Sequence, residues 1–142
     1  MPLINAEAEV ITDPQDLQFY PLADLPVSLP SQVGVILPPD AKIDEVASKI
    51  AHFAVVAIEF PKFRDGRGFT LARTLRQRGY KGDIRAVGHF LPEQFLSLLN
   101  CGFSSFLTPS THPPESFASM LLAPRQPGQL LRRSLSRVLE TV

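Results

Sequence analysis

A single cysteine, Cys101, leaves no internal disulfide to be made, so a reducing cytoplasm is the expected compartment. CxxC, HExxH and histidine-cluster patterns are missing, so no zinc, haem or iron–sulfur site is expected and the expected cofactor set is empty. GxSxG is missing, which argues against an α/β-hydrolase, and so are the Walker loop and GxGxxG. No apolar run approaches the ~18 residues of a membrane span, so no membrane partner is expected. Residues Met1 to Glu7 lack a basic n-region and an apolar h-region, so no signal peptide is expected. An excess of one charge is lacking too, with 14 basic against 14 acidic residues. So weak a net field argues against nucleic-acid binding by bulk charge.

What is present fits one folded domain. The 142 residues are 44% hydrophobic and 20% charged, which excludes disorder as the main state. Charge is unevenly distributed. Residues 1–61 carry nine acidic residues against Lys42 and Lys49, whereas residues 62–85 carry eight basic residues against Asp65 and Asp83. The basic stretch is either a solvated face, paired in part with the acidic N-terminal third, or a local anion site.

Residues 1–31 are rich in Pro and Asp and read as an irregular N-terminal arm, with Glu9 to Thr12 as a candidate edge strand. An α/β domain follows over 32–123. Its predicted strands are 33–37, 53–60, 83–88 and 103–107, and the continuous apolar character of 53–60 suits a parallel sheet covered on both faces. The predicted helices run from the cap Asp40 to about Ala51, from the cap Thr70 to Arg78, from Pro92 to about Asn100, and from Pro113 to about Ala123. Alternating strands and helices predict a small three-layer sandwich with a mostly parallel sheet of four or five strands, in a flavodoxin- or receiver-like layout. A full (β/α)8 barrel needs about 250 residues and is excluded. Residues 124–142 read as a Pro-rich linker and a C-terminal helix with Leu131, Leu135, Val138 and Val142 on one stripe. That stripe either packs on its own sheet or docks on a second copy of the chain, as a homodimer, or on a partner protein.

The most unusual stretch is the loop from Pro61 to Thr70, which leaves the carboxyl end of a strand and enters a helix. Lys62, Arg64 and Arg67 offer cations, Gly66 and Gly68 allow close backbone approach, and the helix end favours anions. Lys62, Arg64, Asp65, Gly66, Arg67, Gly68 and Thr70 are therefore the candidate anion- or partner-binding residues. The competing reading is a structural turn at Asp65-Gly66 with Arg–carboxylate pairs. Glu59 and His89 both end strands and form a candidate acid/base pair, unless Glu59 pairs with Arg64 or Arg67. His112 lies in a Pro-rich loop and reads as exposed, and Cys101 as packed rather than reactive. No residue is assigned a catalytic role, and the residues alone lean against an enzyme.

The run Phe60 to Phe69 is followed by Leu71-Ala72-Arg73, Gly79-Tyr80-Lys81-Gly82, Arg85-Ala86-Val87-Gly88 and Cys101-Gly102-Phe103. These motifs resemble the bacterial domain-of-unknown-function 934 family over roughly residues 30–123. Members are typically encoded beside assimilatory sulfite reductase genes. The resemblance implies an accessory role in sulfate or sulfite reduction, with a sulfite reductase subunit as partner or a sulfur oxyanion as ligand. The alternative is a small enzyme or binding domain for a phosphorylated or sulfur-containing anionic metabolite. A fainter resemblance to receiver domains rests on Asp65-Gly66 and on Leu99 to Gly102 before Phe106-Leu107. Ile58-Glu59-Phe60 stands where the phosphoacceptor Asp belongs, so it implies at most a regulatory module without phosphotransfer.

Overall fold

The structure is a computed structural model and describes residues 2–25, 32–44 and 49–122. Among the described residues a single sheet holds six strands, β1 (Leu3–Asn5), β2 (Gln18–Pro21), β3 (Val33–Leu37), β4 (Val55–Phe60), β5 (Asp83–Gly88) and β6 (Ser105–Leu107). Three helices accompany it, α1 (Arg67–Gln77), α2 (Phe95–Cys101) and α3 (Pro114–Leu122). The strand order is β1-β6-β5-β4-β3-β2, with every neighbouring pair parallel except β1 on β6. The class is therefore α/β with a mostly parallel sheet, as the alternation of elements implies, but the expected four or five strands are corrected to six.

The layering differs from the sequence expectation. From β2 to β6 each parallel strand lies beside its predecessor in chain order, and the order never reverses. Right-handed crossovers along such an order put all connections on one face. The helices α1, α2 and α3 accordingly form one layer, in which α2 contacts both others. The expected three-layer sandwich is thus corrected to two layers among the described residues. The flavodoxin- or receiver-like layout is corrected with it, because that layout requires a reversal of strand order.

Strand alternation shows which face the helices cover. Val35, Val56 and Ile84 stand in one register row, and Leu37, Ile58, Ala86, Phe106 and Ile4 in the next. All eight are fully buried. Leu71, Ala72 and Leu75 of α1 and Phe95 and Leu98 of α2 close over them, as their helical spacing predicts. Phe95 meets Phe106 edge-on at 4.8 Å between ring centroids, and Phe117 of α3 packs on Phe90 and Phe95.

The N-terminal segment is the second difference. Residues expected as an irregular arm supply both edge strands, and the antiparallel edge is Leu3–Asn5, with Val10 of the expected strand 9–12 making only a bridge to Ile4. Because β1 and β2 lie on opposite edges, residues 6–17 must cross the sheet. They cross on the face that carries no helix among the described residues, where the Asp13 carboxylate accepts two hydrogen bonds from Arg85, at 2.7 and 2.8 Å. Arg85 also donates to Ser105 and Asp83, and only 5% of its side chain is exposed. Phe19 lies under the Arg85 guanidinium and over Gly34, where a Cβ would collide with the ring.

Two predicted helices fall partly or wholly outside the described residues. Of the helix expected from Asp40 to Ala51, residues 45–48 fall outside the described residues, and the end is a single 3₁₀ turn at Ile50–His52. The predicted helix over 129–142 and its homodimer contact lie wholly outside the described residues.

Tyr80 closes the turn after α1, with its hydroxyl donating to the Phe53 carbonyl at 3.0 Å. Burial, and secondarily the Asp83 charge, push its pKa above the ordinary value of 10.0. Above about pH 10 the unfolded chain loses this proton and the folded one keeps it. Stability is then full below that pH and falls as pH rises. In urea unfolding from pH 9 to 11.5, Tyr80→Phe should lose the hydrogen bond, about 1 kcal/mol at pH 9, and show a shallower alkaline decline than wild type. Equal slopes would place the alkaline loss elsewhere.

Candidate functional site

The eight cations of residues 62–85 are largely committed to the fold. Arg76 donates to the carbonyls of Gly102, Tyr80 and Gly82 and so staples the end of α1 to the C-terminal end of α2 and to the turn before β5. Arg78 reaches Asp44 at 3.2 Å, Arg85 is held by Asp13, and Arg73 points a guanidinium nitrogen at the Cys101 sulfur at 3.4 Å. Cys101 itself is buried, in line with a packing role.

Within the loop, Arg67 is spent as well. Its guanidinium donates two hydrogen bonds to the Asp65 carboxylate, at 2.9 and 2.7 Å, and its backbone N–H donates a third at 3.1 Å. The Arg67 side-chain hydrogen bonds, with its backbone N–H next, hold the Asp65 carboxyl below the ordinary carboxylate range. This Asx-type contact also starts α1 at Arg67, three residues before the expected cap. Thr70 is therefore not the cap. It stands exposed on the first turn of the helix.

The glycines have other roles than ligand approach. Gly66 has φ −79°, which any residue adopts. Gly68 is buried in α1, where a Cβ would come within 2.6 Å of the Phe60 ring, so it is small to let the helix pack on β4. The positive φ of this region belongs to Gly88, at 105°. There the β5 backbone crosses the end of β4, and the His89 N–H donates to the Phe60 carbonyl at 2.7 Å.

Lys81 lies past the far end of α1, outside this loop, and within the loop Lys62 and Arg64 remain. Among the described residues neither has a carboxylate within salt-bridge distance, and Arg64 stacks its guanidinium on the exposed Phe63 ring at 5.3 Å. Both line a depression with Phe63, Pro61 and His89, at the carboxyl ends of β4 and β5. Gln94, which the sequence reading did not single out, positions it. Its side-chain amide donates to the Phe63 carbonyl at 2.7 Å, while its carbonyl oxygen accepts the Leu91 N–H at 2.9 Å. One side chain thereby ties the basic loop to the loop after β5.

Glu59 shares a cleft with His89 but makes no hydrogen bond to it, and it does not reach the arginines. It projects from β4 onto the face without helices and is exposed. The expected pairing of Glu59 with Arg64 or Arg67 is corrected: among the described residues no basic side chain is paired with it, and Asp65 takes Arg67. Glu59 and His89 both line a cleft of about 530 Å³ on that face. Its floor is Ile36, Ala57, Val87 and Leu107, and the Arg85–Phe19 stack bounds it. Sequence patterning gave no signal for this cleft, because its residues come from five strands. Among the described residues no group of three or more His, Cys, Asp or Glu side chains could hold a metal ion, and no helix is long and apolar enough to cross a membrane.

No curated protein and no solved structure gave a significant match to the chain. A family model described as a bacterial protein of unknown function, DUF934, matches residues 34–126, which takes in β3 to α3 and therefore the basic loop, Gln94 and the cleft floor. The chain belongs to the bacterial DUF934 family.

Proposed function

We propose that the protein is an accessory binding protein of sulfite reduction, with an oxyanion site formed by Lys62, Arg64 and His89 at the carboxyl ends of β4 and β5. The sulfur assignment rests on the family resemblance. The site assignment rests on one observation: of the basic side chains in this loop, Arg67 is neutralised by Asp65 while Lys62 and Arg64 share a depression with His89. Guanidinium and ammonium groups on one side of an anion give charge-assisted hydrogen bonds, stronger than neutral ones. A sulfite reductase component delivering or receiving the anion is the partner that this reading implies.

Calorimetric titration with sulfite tests it. Lys62→Ala combined with Arg64→Ala should weaken binding well beyond tenfold, since each charge-assisted bond contributes roughly 1.5–3 kcal/mol. Its thermal midpoint should stay close to wild type, because both side chains are exposed. Arg67→Ala should change binding by less than about threefold. Undiminished binding in the double variant, or loss confined to Arg67→Ala, would overturn the assignment.

A further inference from the structure

The face of the sheet without helices offers more room than an inorganic oxyanion uses. The cleft there holds about 530 Å³, within the roughly 300–1,000 Å³ typical of small-molecule sites. Its floor is apolar, from Ile36, Ala57, Val87 and Leu107. Pro61 and His89 line both this cleft and the depression holding Lys62 and Arg64, so a cationic rim and an apolar floor are continuous. Arg85 adds no free charge inside, being held by Asp13 and Asp83. Charge selection therefore falls to the rim, and Glu59 offers an acceptor in the wall. A parallel sheet also calls for cover on both faces. The crossing segment 6–17 supplies it at Arg85, two register positions below Glu59 and Val87.

We propose that the ligand of this site is an organic anion, a sulfonate or phosphate ester on an aromatic or branched aliphatic body. The anionic group sits between Lys62 and Arg64. The body lies on Ala57, Val87 and Leu107, and a hydroxyl or amino group on it donates to Glu59. This inference rests on the rim reading above and adds the body to the anion.

Three probes separate the two ideas in the full-length protein: 8-anilinonaphthalene-1-sulfonate, the uncharged N-phenyl-1-naphthylamine, and inorganic sulfate. The sulfonate dye should bind at one site, at least tenfold more tightly than either of the others. Val87→Glu, at a half-buried position, should weaken the dye more than tenfold and sulfate less than threefold. Amide shifts of Ala57, Val87 and Leu107 in the wild-type protein give the same reading without any variant. Equal affinity for dye and sulfate would overturn the organic body and leave the anion rim standing. Equal affinity for both dyes would sink the rim reading and this inference together. Dye binding indifferent to Val87→Glu, with no shift at Ala57, would put the body elsewhere. Light scattering that shows a dimer, with the same amides shifting on dilution, would give the face to a second copy and overturn the proposal.

Discussion

Arg85→Met should cost the protein about 3 kcal/mol, on the order of 10 °C in thermal midpoint. Arg85 is the buried charge of the face without helices, and its hydrogen bonds to Asp13, Asp83 and Ser105 leave it almost no solvent. Removing it strands the Asp13 carboxylate and leaves Asp83 held only by the Ser104 and Ser105 hydroxyls. Breaking a buried pair by deleting one partner typically costs about 3–5 kcal/mol. The low end applies here, because the Asp13 and Asp83 side chains keep 31% and 29% exposure and water can solvate them. The effect should be more than thermodynamic. The guanidinium lies over Phe19 and fixes the segment that crosses from β1 to β2. Arg85→Met should therefore raise proteolytic cleavage within residues 6–17 and enlarge the cleft that Phe19 bounds. Chemical denaturation with limited proteolysis checks both. A loss below 1 kcal/mol, with the segment still protected, would show that the apolar contacts of Phe19 and Ile4 hold it without the ion pair.

Phe106→Ala should be the most destabilising single change, at about 4 kcal/mol. Phe106 is fully buried, packs edge-on against Phe95, and lies 6.1 Å from Phe90 and 6.4 Å from Phe103 between ring centroids. Truncation removes a large transfer term and leaves a cavity lined by rings that cannot all collapse into it. The aromatic pairs add about 0.5–1.5 kcal/mol each beyond area. The strand that carries Phe106 is short, holding two register pairs to β5 and three to β1, so side-chain packing rather than the ladder keeps it in place. Leu107 on the opposite side of β6 floors the cleft, and ligand binding should weaken in the same variant. Phe106→Leu should cost less than half as much. A Phe106→Ala loss under 2 kcal/mol, read by urea unfolding, would mean that the helix layer is fluid enough to refill the space.

Central strands were readable as apolar runs, and α1 and α2 as stripes at helical spacing. Leu71, Ala72 and Leu75 are buried as that spacing requires. The edge strands were not readable, because three- and four-residue segments next to Pro2 and Pro21 carry too little periodicity to separate them from loop. Strand order was not readable either. Local patterns say which residues are buried but not which neighbour a strand chooses, and the pairing that reveals the crossing segment joins Asp13 to Arg85 across 72 positions. At the candidate site, composition marked Lys62, Arg64 and Arg67 alike as candidate cations. The competing reading, a turn at Asp65-Gly66 with an Arg–carboxylate pair, is what forms at Arg67. Gly68 looked like a ligand-approach glycine and is a packing glycine against Phe60. Gln94 carried no signal at all, since its role depends on the Phe63 carbonyl 31 residues away.

Amide shift mapping of the labelled full-length protein during a sulfite titration tests the central claim most directly. Saturable shifts should concentrate at Phe63, Arg64, Gly88 and His89, with Gln94 following through its bond to Phe63. Lys81 and Arg78, cationic but at the opposite end of α1, should stay still. Largest shifts at Arg78 and Lys81, or along Arg73 and Cys101, would contradict the account, as would a titration in which no amide moves.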